Sequence, residues 1–197
     1  MEKKIILIAT SNEGKVREME KAFEGLPVHL VPLSRIREVL PDAGEIEEPV
    51  EDGGTFLENA RIKAHYYRTQ TGLAALADDS GLTVEVLGGA PGVYSARYAG
   101  VHGDDAANNR KLIAEIRAQG TENAAAAYHC ALVLVLEDGR ELGAEGTCAG
   151  FIRPEARGTE GFGYDPHFYR ADGRSMAELS RAEKHTISHR GAALDMM

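Results

Sequence analysis

The sequence predicts a single α/β domain built on a mixed β-sheet. Short apolar runs rich in β-branched residues alternate with segments whose apolar residues recur at helical spacing. Asp138-Gly139 joins two extended segments and is a hairpin signal, which requires an antiparallel pair. No linker, repeat or low-complexity tract divides the 197 residues, a length typical of one domain.

The start of the chain predicts a βαβ unit. A buried strand is expected over residues 5–10, where a short apolar run ends in polar residues, and a turn over 11–14. Apolar residues at helical spacing predict a helix over 16–23, and a second strand follows over 28–33. If the two strands are parallel, the connection between them is right-handed.

The middle of the chain predicts a loop, a helix and two short strands. The loop covers 41–54, where acidic residues are mixed with Pro and Gly, and the helix covers 55–69. The strands are expected over 74–77 and 82–87, and a sharp turn at Gly81 separates them.

The last part of the chain predicts a second helix, a hairpin and a helical end. A glycine-rich loop over 88–103 precedes a helix over 104–119. Long strands over 125–136 and 141–152 form the hairpin, and residues 175–193 are expected to be mostly helical.

The charge balance argues against a protein that binds nucleic acid. The formal net charge is −9, from 22 Lys and Arg against 31 Asp and Glu. Proteins that coat DNA or RNA need a cationic face, because phosphate neutralisation supplies most of their affinity. We therefore expect no polynucleotide partner. A metal-assisted phosphate enzyme, by contrast, tolerates excess carboxylates if a few cations are concentrated at one site.

The N-terminus and the cysteines favour a cytoplasmic protein that is not attached to a membrane. The apolar run over 5–9 is too short for a signal-peptide core or a membrane span. Cys130 and Cys148 stand among apolar or small residues without a zinc pattern, so we expect two buried, reduced thiols.

The first candidate site is Asp78-Asp79-Ser80-Gly81, at the end of a predicted buried strand. Open α/β sheets bind ligands beyond the ends of their strands. Carboxylates are the hard oxygen ligands that Mg²⁺ prefers, together with water and substrate phosphates. A solvated turn is the alternative, because Asp, Ser and Gly are common turn residues.

The second candidate site is a strand-to-helix turn. It comprises Thr10, Ser11, Asn12, Glu13, Gly14 and Lys15. Free backbone N–H groups at a helix start and the helix dipole favour phosphate, and the lysine adds a mobile cation. The segment is not a P-loop, since it has one glycine and Val16 follows the lysine. An ordinary turn with a helix cap is the alternative.

The third candidate site combines a glycine-flanked aromatic residue with a basic segment. Phe162 lies between Gly161 and Gly163, which leaves its ring available for stacking on a base. Donors for phosphate or base oxygens are supplied downstream by Lys184, His189 and Arg190. The alternatives are a packed aromatic in a loop and a basic helix end that suits the helix dipole.

Six segments stand in order along nearly the whole chain, and together they resemble the inosine triphosphate pyrophosphatase family. They are ATSNEGKVRE (9–18), TFLENA (55–60), ADDSGL (77–82), PGVYSARY (91–98), FGYDP (162–166) and SHRG (188–191). Ser11 departs from the family, where glycine is expected, and serine is tolerated unless the site needs a positive φ. The chain ends soon after the last segment, so we expect a short final helix.

The resemblance implies a fold, an assembly and a reaction. The fold is an elongated mixed sheet flanked by helices in two lobes, with the active site in a cleft between them, and the assembly is a homodimer. The reaction is the Mg²⁺-dependent hydrolysis of non-canonical purine nucleoside triphosphates (ITP, dITP and XTP) between the α- and β-phosphates. It releases the monophosphate and pyrophosphate and so cleanses the nucleotide pool.

The resemblance also implies a role for each candidate residue. Thr10 to Lys15 hold the triphosphate, Glu51 and Asp79 bind the metal, and Asp78 supports them. Asp79 is also the general base that activates water, and Ser80 contacts substrate. Lys15 and Lys184 stabilise charge on the leaving pyrophosphate. The base pocket comprises Phe162, Gly163, Tyr164, Asp165, His189 and Arg190.

The base pocket must distinguish hypoxanthine and xanthine from adenine. Both carry a 6-oxo group where adenine carries an amino group. A donor such as Arg190 pairs with the oxygen but faces another donor in adenine, and leaving it unpaired costs about 1–3 kcal/mol. Guanine also has a 6-oxo group and must be rejected separately.

Three alternatives stay open at this point. The nearest is a Maf-like nucleotide pyrophosphatase that acts on pyrimidine or modified nucleotides, and the segments FGYDP and SHRG argue against it. A catalytically silent nucleotide sensor is disfavoured because Glu51, Asp78 and Asp79 are all present. A polynucleotide-binding module is disfavoured by the net charge.

Overall fold

The described residues form one six-stranded sheet and five α-helices. The computed structural model describes residues 3–44 and 46–197, apart from the side chains of residues 181 and 185. The strands are β1 (Lys4–Ile8), β2 (Val28–Pro32), β3 (Ala74–Val84), β4 (Ala124–Val135), β5 (Glu141–Ile152) and β6 (Phe168–Tyr169). The helices are α1 (Glu13–Ala22), α2 (Phe56–Thr71), α3 (Asp105–Ala118), α4 (Arg181–Ile187) and α5 (His189–Met196).

The sheet is mixed, as the sequence predicts. The strand order is β2-β1-β3-β4-β5-β6. β1 pairs in parallel with β2, where Ile6 faces Leu30, and in parallel with β3, where Leu7 faces Ala75. β5 and β6 pair in antiparallel fashion. The predicted βαβ unit at the start of the chain is therefore confirmed.

The chain forms two compact units. Unit 1 contains the residues up to Asp79 together with Ala131–Glu145 and Ala193–Met197. Unit 2 contains Ser80–Cys130 and Gly146–Ala192. The prediction of a single domain, like that of a cleft between two lobes, stays a prediction.

Each unit has its own apolar core. In unit 1, α2 buries Ala60, Ala64 and Tyr67, which recur at helical spacing and so lie on one face. In unit 2, α3 buries Leu112 and Ile116 in a cluster that also holds aromatic side chains. The rings of two of these, Tyr128 and Phe168, lie 4.5 Å apart between centroids.

The predicted turn at Gly81 is wrong. β3 runs without interruption through Asp78-Asp79-Ser80-Gly81, so the strand expected over 74–77 and the first half of that expected over 82–87 are one strand. The second half is wrong, because β3 ends at Val84 and Glu85–Leu87 form a 3₁₀ turn. Ala77 and Leu82, on either side of this segment, are fully buried. Burial on both sides outweighs the turn preference of Asp, Ser and Gly, because strand preference depends chiefly on packing. Asp78 is itself buried, so the alternative of a solvated turn is wrong as well.

Smaller differences concern short elements. The two-residue strand β6 was not predicted, and a 3₁₀ segment, Gly92–Arg97, lies within the predicted glycine-rich loop. The predicted helical end is divided into a 3₁₀ turn, α4 and a short α5. Cys130 is buried as expected, whereas Cys148 is only half-buried, and both are free thiols. Among the described helices, none has the length and apolar character needed to span a membrane.

Candidate functional site

The two aspartates of β3 in unit 1 differ in their surroundings. Asp78 is 1 % exposed, and its Oδ2 lies 3.0 Å from the Nζ of Lys15 in α1. Lys63 of α2 donates a hydrogen bond to the carbonyl oxygen of Asp78 at 3.1 Å. Asp78 therefore anchors two lysines, which fits the supporting role that the resemblance implies.

The pKa of Asp79 lies above the ordinary value of an aspartate. Its Oδ2 accepts a hydrogen bond from the Nδ2 of Asn59 at 3.1 Å. Burial raises the pKa of the Asp79 carboxyl to about 6, although the charge of Lys63 and the Asn59 hydrogen bond lower it. A carboxyl with a pKa in this range can both accept and release a proton under physiological conditions.

Lys63 connects Glu51 to the aspartates. Its Nζ lies 3.0 Å from Oε2 of Glu51, and only 13 % of the lysine side chain is exposed. Burial lowers the pKa of Lys63, but the negative charges of Asp78, Glu51 and Asp79 raise it by more, so the net shift is upward. Lys63 is therefore a cation held among three carboxylates.

Asn59 links the Glu51 loop to Asp79. It is 2 % exposed, and its Oδ1 accepts a hydrogen bond from the backbone N–H of Gly53 at 2.8 Å. A Cβ at Gly53 would lie 2.7 Å from this oxygen, so only glycine permits the contact. Asn59 and Lys63 are four residues apart on α2 and had no predicted role, although Asn59 belongs to the segment TFLENA.

The carboxylates of unit 1 fit a magnesium ion. The charge of Glu51 raises the pKa of Asp79, as expected of two carboxylates close enough to repel each other. Within residues 3–44 and 46–197, no group of three or more His, Cys, Asp or Glu could hold a metal. Two carboxylates suffice for Mg²⁺, because this ion keeps several waters and takes further ligands from substrate phosphates.

The strand-to-helix turn is capped by one of its own side chains. The Oδ1 of Asn12 accepts hydrogen bonds from the N–H groups of Gly14 at 2.9 Å and Lys15 at 3.2 Å. The alternative of a helix cap is therefore confirmed for these two N–H groups, and the predicted contact of the turn with phosphate stays a prediction. The Thr10 hydroxyl accepts from the Asn12 N–H at 3.2 Å.

Ser11 and Glu13, the other predicted members of this turn, are exposed. No non-glycine residue in the described part of the chain has a positive φ. Ser11 in place of glycine is therefore free of backbone strain.

In unit 2, Phe162 is presented to solvent, so the alternative of a packed aromatic is wrong. Its side chain is 44 % exposed, and the Nζ of Lys184 lies 5.0 Å from the ring centroid. Gly161 has φ of +85°, and a Cβ there would lie 2.1 Å from the Oδ2 of Asp165. The loop thus requires glycine beside the aromatic residue.

Asp165 and Tyr164 shape this loop from within. Asp165 is 3 % exposed, and its Oδ2 accepts from the Phe162 N–H at 2.9 Å and lies 2.5 Å from the Lys184 Nζ. Its Oδ1 accepts from the Tyr128 hydroxyl at 3.1 Å. Tyr164 is buried and donates to the carbonyl oxygen of Ser95 at 2.7 Å. The predicted contacts of Asp165, Tyr164 and Lys184 with substrate stay predictions.

His189 and Arg190 begin α5 and are both buried. Arg190 Nη2 donates to the Oγ of Ser80 at 3.1 Å, which brings together two of the predicted substrate-binding residues. The His189 ring stacks on Tyr128 with 4.9 Å between centroids. The guanidinium of Arg190 at the start of a helix is unfavourable to the helix dipole, so the alternative of a basic helix end does not account for this residue.

Known proteins resemble this chain over nearly its whole length. A model of the Ham1 family matches residues 6–197. A protein named dITP/XTP pyrophosphatase from Syntrophobacter fumaroxidans is 50 % identical over 195 residues, which cover 98 % of this chain and 80 % of that protein. One of the same name from Geobacter sulfurreducens is 46 % identical over 98 % of this chain and 94 % of its own.

Solved structures of similar proteins also match this chain over nearly its whole length. The structure of a HAM1 protein from Coxiella burnetii has a TM-score of 0.85 and 41 % identity, over 98 % of this chain and 95 % of that one. A nucleoside-triphosphatase described as a dITP/XTP pyrophosphatase from Mycobacterium abscessus has a TM-score of 0.77 and 42 % identity, over 98 % and 96 % of the two chains. The predicted family is confirmed: this chain belongs to the Ham1 family.

Proposed function

We propose that this protein hydrolyses non-canonical purine nucleoside triphosphates, such as dITP, XTP and ITP, to the monophosphate and pyrophosphate. Two relatives that are 46 % and 50 % identical carry the name dITP/XTP pyrophosphatase. The observation that carries the proposal is the placement of Asp79, whose Oδ2 lies 3.1 Å from the Asn59 Nδ2 and whose carboxyl is kept by burial at a pKa of about 6, against the lowering effect of Lys63 and Asn59. It is the group of unit 1 best suited to take a proton from water.

In this mechanism the residues of unit 1 act on the triphosphate. Glu51 and Asp79 would hold Mg²⁺, and the bound ion would supply positive charge to offset that of the phosphates. Asp79 accepts the proton of the attacking water. Lys15 neutralises charge on the leaving pyrophosphate, while Asp78 holds the lysine in place at 3.0 Å. Thr10 and the residues that follow it hold the phosphates.

The residues of unit 2 recognise the base. Phe162 offers an exposed aromatic face for stacking. His189 and Arg190 supply donors to the 6-oxo group, and Ser80 orients the guanidinium through its 3.1 Å hydrogen bond. Adenine presents an amino group at this position and leaves the donors unpaired, which disfavours ATP.

Pyrophosphate release from a panel of nucleotides tests the proposal. ITP, XTP, dITP, GTP, ATP and dTTP are each incubated with the protein in Mg²⁺ and in EDTA. Metal-dependent release from ITP, XTP and dITP far above the others is expected. Preference for dTTP would support the Maf-like alternative, and tight ITP binding without release would support a silent sensor.

The homodimer and the cytoplasmic location stay predictions. Light scattering during size-exclusion chromatography measures the assembly, and a mass of twice 21.2 kDa is expected. Elution at the monomer mass would contradict the dimer.

A further inference from the structure

Two side chains of α3 hold the backbone of the loop that presents Phe162. Asp105 Oδ2 accepts a hydrogen bond from the N–H of Gly163 at 2.7 Å. Asn109 Nδ2 donates to the carbonyl oxygen of Gly163 at 2.8 Å. Both polar backbone groups of the residue next to Phe162 are therefore bound from one helix, by residues four apart on the same face.

The orientation of the Asn109 amide follows from its partners. Its Nδ2 also donates to the carbonyl oxygen of Asp105 at 2.9 Å, so both protons of the amide nitrogen face carbonyl oxygens. The reverse orientation would place the amide oxygen against two acceptors. Asn109 thus joins the start of α3 to Gly163 in one defined geometry.

Capping of α3 does not explain Asp105. The N-cap of this helix is Asp104, whose Oδ1 accepts from the N–H of Ala107 at 2.9 Å. Asp105 directs its carboxylate to Gly163 instead, 58 residues away in the sequence. An exposed acidic residue in the first turn would serve the helix dipole without this contact.

The other side of Phe162 is held independently. The N–H of Phe162 donates to Asp165, which is in turn bound to Lys184 of α4. Phe162, which is 44 % exposed, consequently stands on a backbone that is bound on both sides. A ring held in this way loses little conformational freedom when a base stacks on it.

We propose that Asp105 and Asn109 are positioning residues that set the affinity of unit 2 for the purine base by holding the Phe162 loop. The inference rests on the proposed role of Phe162 in base stacking. It assigns a part in base affinity to α3, which supplies no residue to the base pocket that the sequence predicts.

The test is a double-mutant cycle on the binding of inosine monophosphate, the product, by calorimetry. Asp105→Leu and Asn109→Ala are each expected to weaken binding about 5- to 20-fold, within the range of one base–aromatic stack. In a Phe162→Ala background the same substitutions should weaken binding no further, because they act through the ring. Pyrophosphate binding serves as the reference and should not change.

Two variants control for charge and for general damage to α3. Asp105→Asn keeps an acceptor oxygen and should stay within about threefold of the parent. Arg110→Ala removes an exposed side chain of the same helix and should have no effect. Steady-state kinetics should agree with the binding data. Asp105→Leu should raise the KM for ITP and leave kcat within about twofold of the parent value.

Three results would overturn the inference. One is that Asp105→Leu weakens inosine monophosphate binding equally in the parent and in the Phe162→Ala background, since this loss would reflect structural damage unrelated to the ring. The second is unchanged inosine monophosphate binding in Asp105→Leu while Phe162→Ala weakens it. The third is unchanged binding in Phe162→Ala itself, which would remove the stacking role and this inference with it, while the nucleotide panel would still decide the reaction independently.

Discussion

The two units hold their functional residues by different means. In unit 1, Lys15 and Lys63 lie among the carboxylates of Glu51, Asp78 and Asp79, so the site is a balance of opposite charges. In unit 2, hydrogen bonds to the backbone hold the Phe162 loop, supported by the Lys184–Asp165 pair. We infer that changing one charged residue of unit 1 alters the pKa values of the others. In unit 2, by contrast, we infer that the hydrogen bonds chiefly fix the position of the Phe162 loop.

The largest effect is expected from replacing Asp79, the proposed general base of unit 1. Asp79→Asn keeps the size of the side chain but cannot accept a proton from water. The value of kcat for ITP should fall about 10²- to 10⁴-fold, the usual contribution of a general base. Stopped assays of pyrophosphate release measure the loss, and calorimetry with ITP should still show binding by folded protein. Near-normal turnover would remove Asp79 from the mechanism.

The charge balance itself is tested by Lys63→Met, which keeps most of the packing. Stability should fall by about 3 kcal/mol, since carboxylates are left without their buried partner. The pH at which activity is half-maximal should also rise, because the Lys63 charge lowers the pKa of Asp79. Urea unfolding and a pH–rate profile measure the two effects.

An exposed ion pair of unit 1 provides the matched control. Arg35 and Glu20 lie 2.7 Å apart, but their side chains are 49 % and 39 % exposed. Arg35→Met should cost less than about 1 kcal/mol, as is usual for exposed pairs. Equal losses in the two variants would show that the carboxylate cluster has no special dependence on Lys63.

In unit 2 the expected effects concern selectivity. Arg190→Lys keeps a cation but loses the planar guanidinium that donates to Ser80 and that we propose also donates to a base oxygen. The preference for ITP over ATP, measured as a ratio of kcat/KM, should narrow by about 1–3 kcal/mol. An unchanged ratio would exclude Arg190 from base recognition. Asp79→Asn, by contrast, should lower both rates and leave the ratio unchanged.

The smallest effect is a dependence of stability on pH. Burial raises the pKa of Asp79 from 3.8 to about 6, so between these values the folded protein binds more protons than the unfolded chain. Ionisation of Asp79 therefore lowers stability as the pH rises from about 4 through 6.

Asparagine does not ionise at this position. In EDTA at pH 7.5, Asp79→Asn should be more stable than the parent by about 1–2 kcal/mol, and the gap should close below pH 4. Urea unfolding at several pH values measures this gap. A variant that is less stable at pH 7.5 would contradict the upward shift.

Periodicity and turn signals were sufficient to predict most of the fold. β5 extends over Glu141–Ile152 as predicted, because the Asp138-Gly139 turn defines where it begins. The predicted turn at Gly81 is wrong, because Asp, Ser and Gly inside a buried strand have the same composition as a turn. The burial that decides between them arises from distant parts of the chain.

The site was predicted less completely than the fold. Asn59 and Lys63 look like ordinary polar residues of a helix, and only the fold shows that their face of α2 meets Asp78 and Asp79. For Asp165 the structure adds partners that the sequence does not show. Its position in the segment FGYDP predicts a substrate contact, which stays a prediction, while three donors within the protein bind its carboxylate.

The exposed ring between two glycines also has a practical consequence. The chain contains no tryptophan, so Phe162→Trp would carry the protein's only indole, at a side chain that is 44 % exposed. Its emission would respond to water at that ring and to a purine that stacks on it, with the 7 tyrosines excluded by the excitation wavelength. Nucleotide occupancy of unit 2 could then be followed optically in real time, independently of any phosphate chemistry.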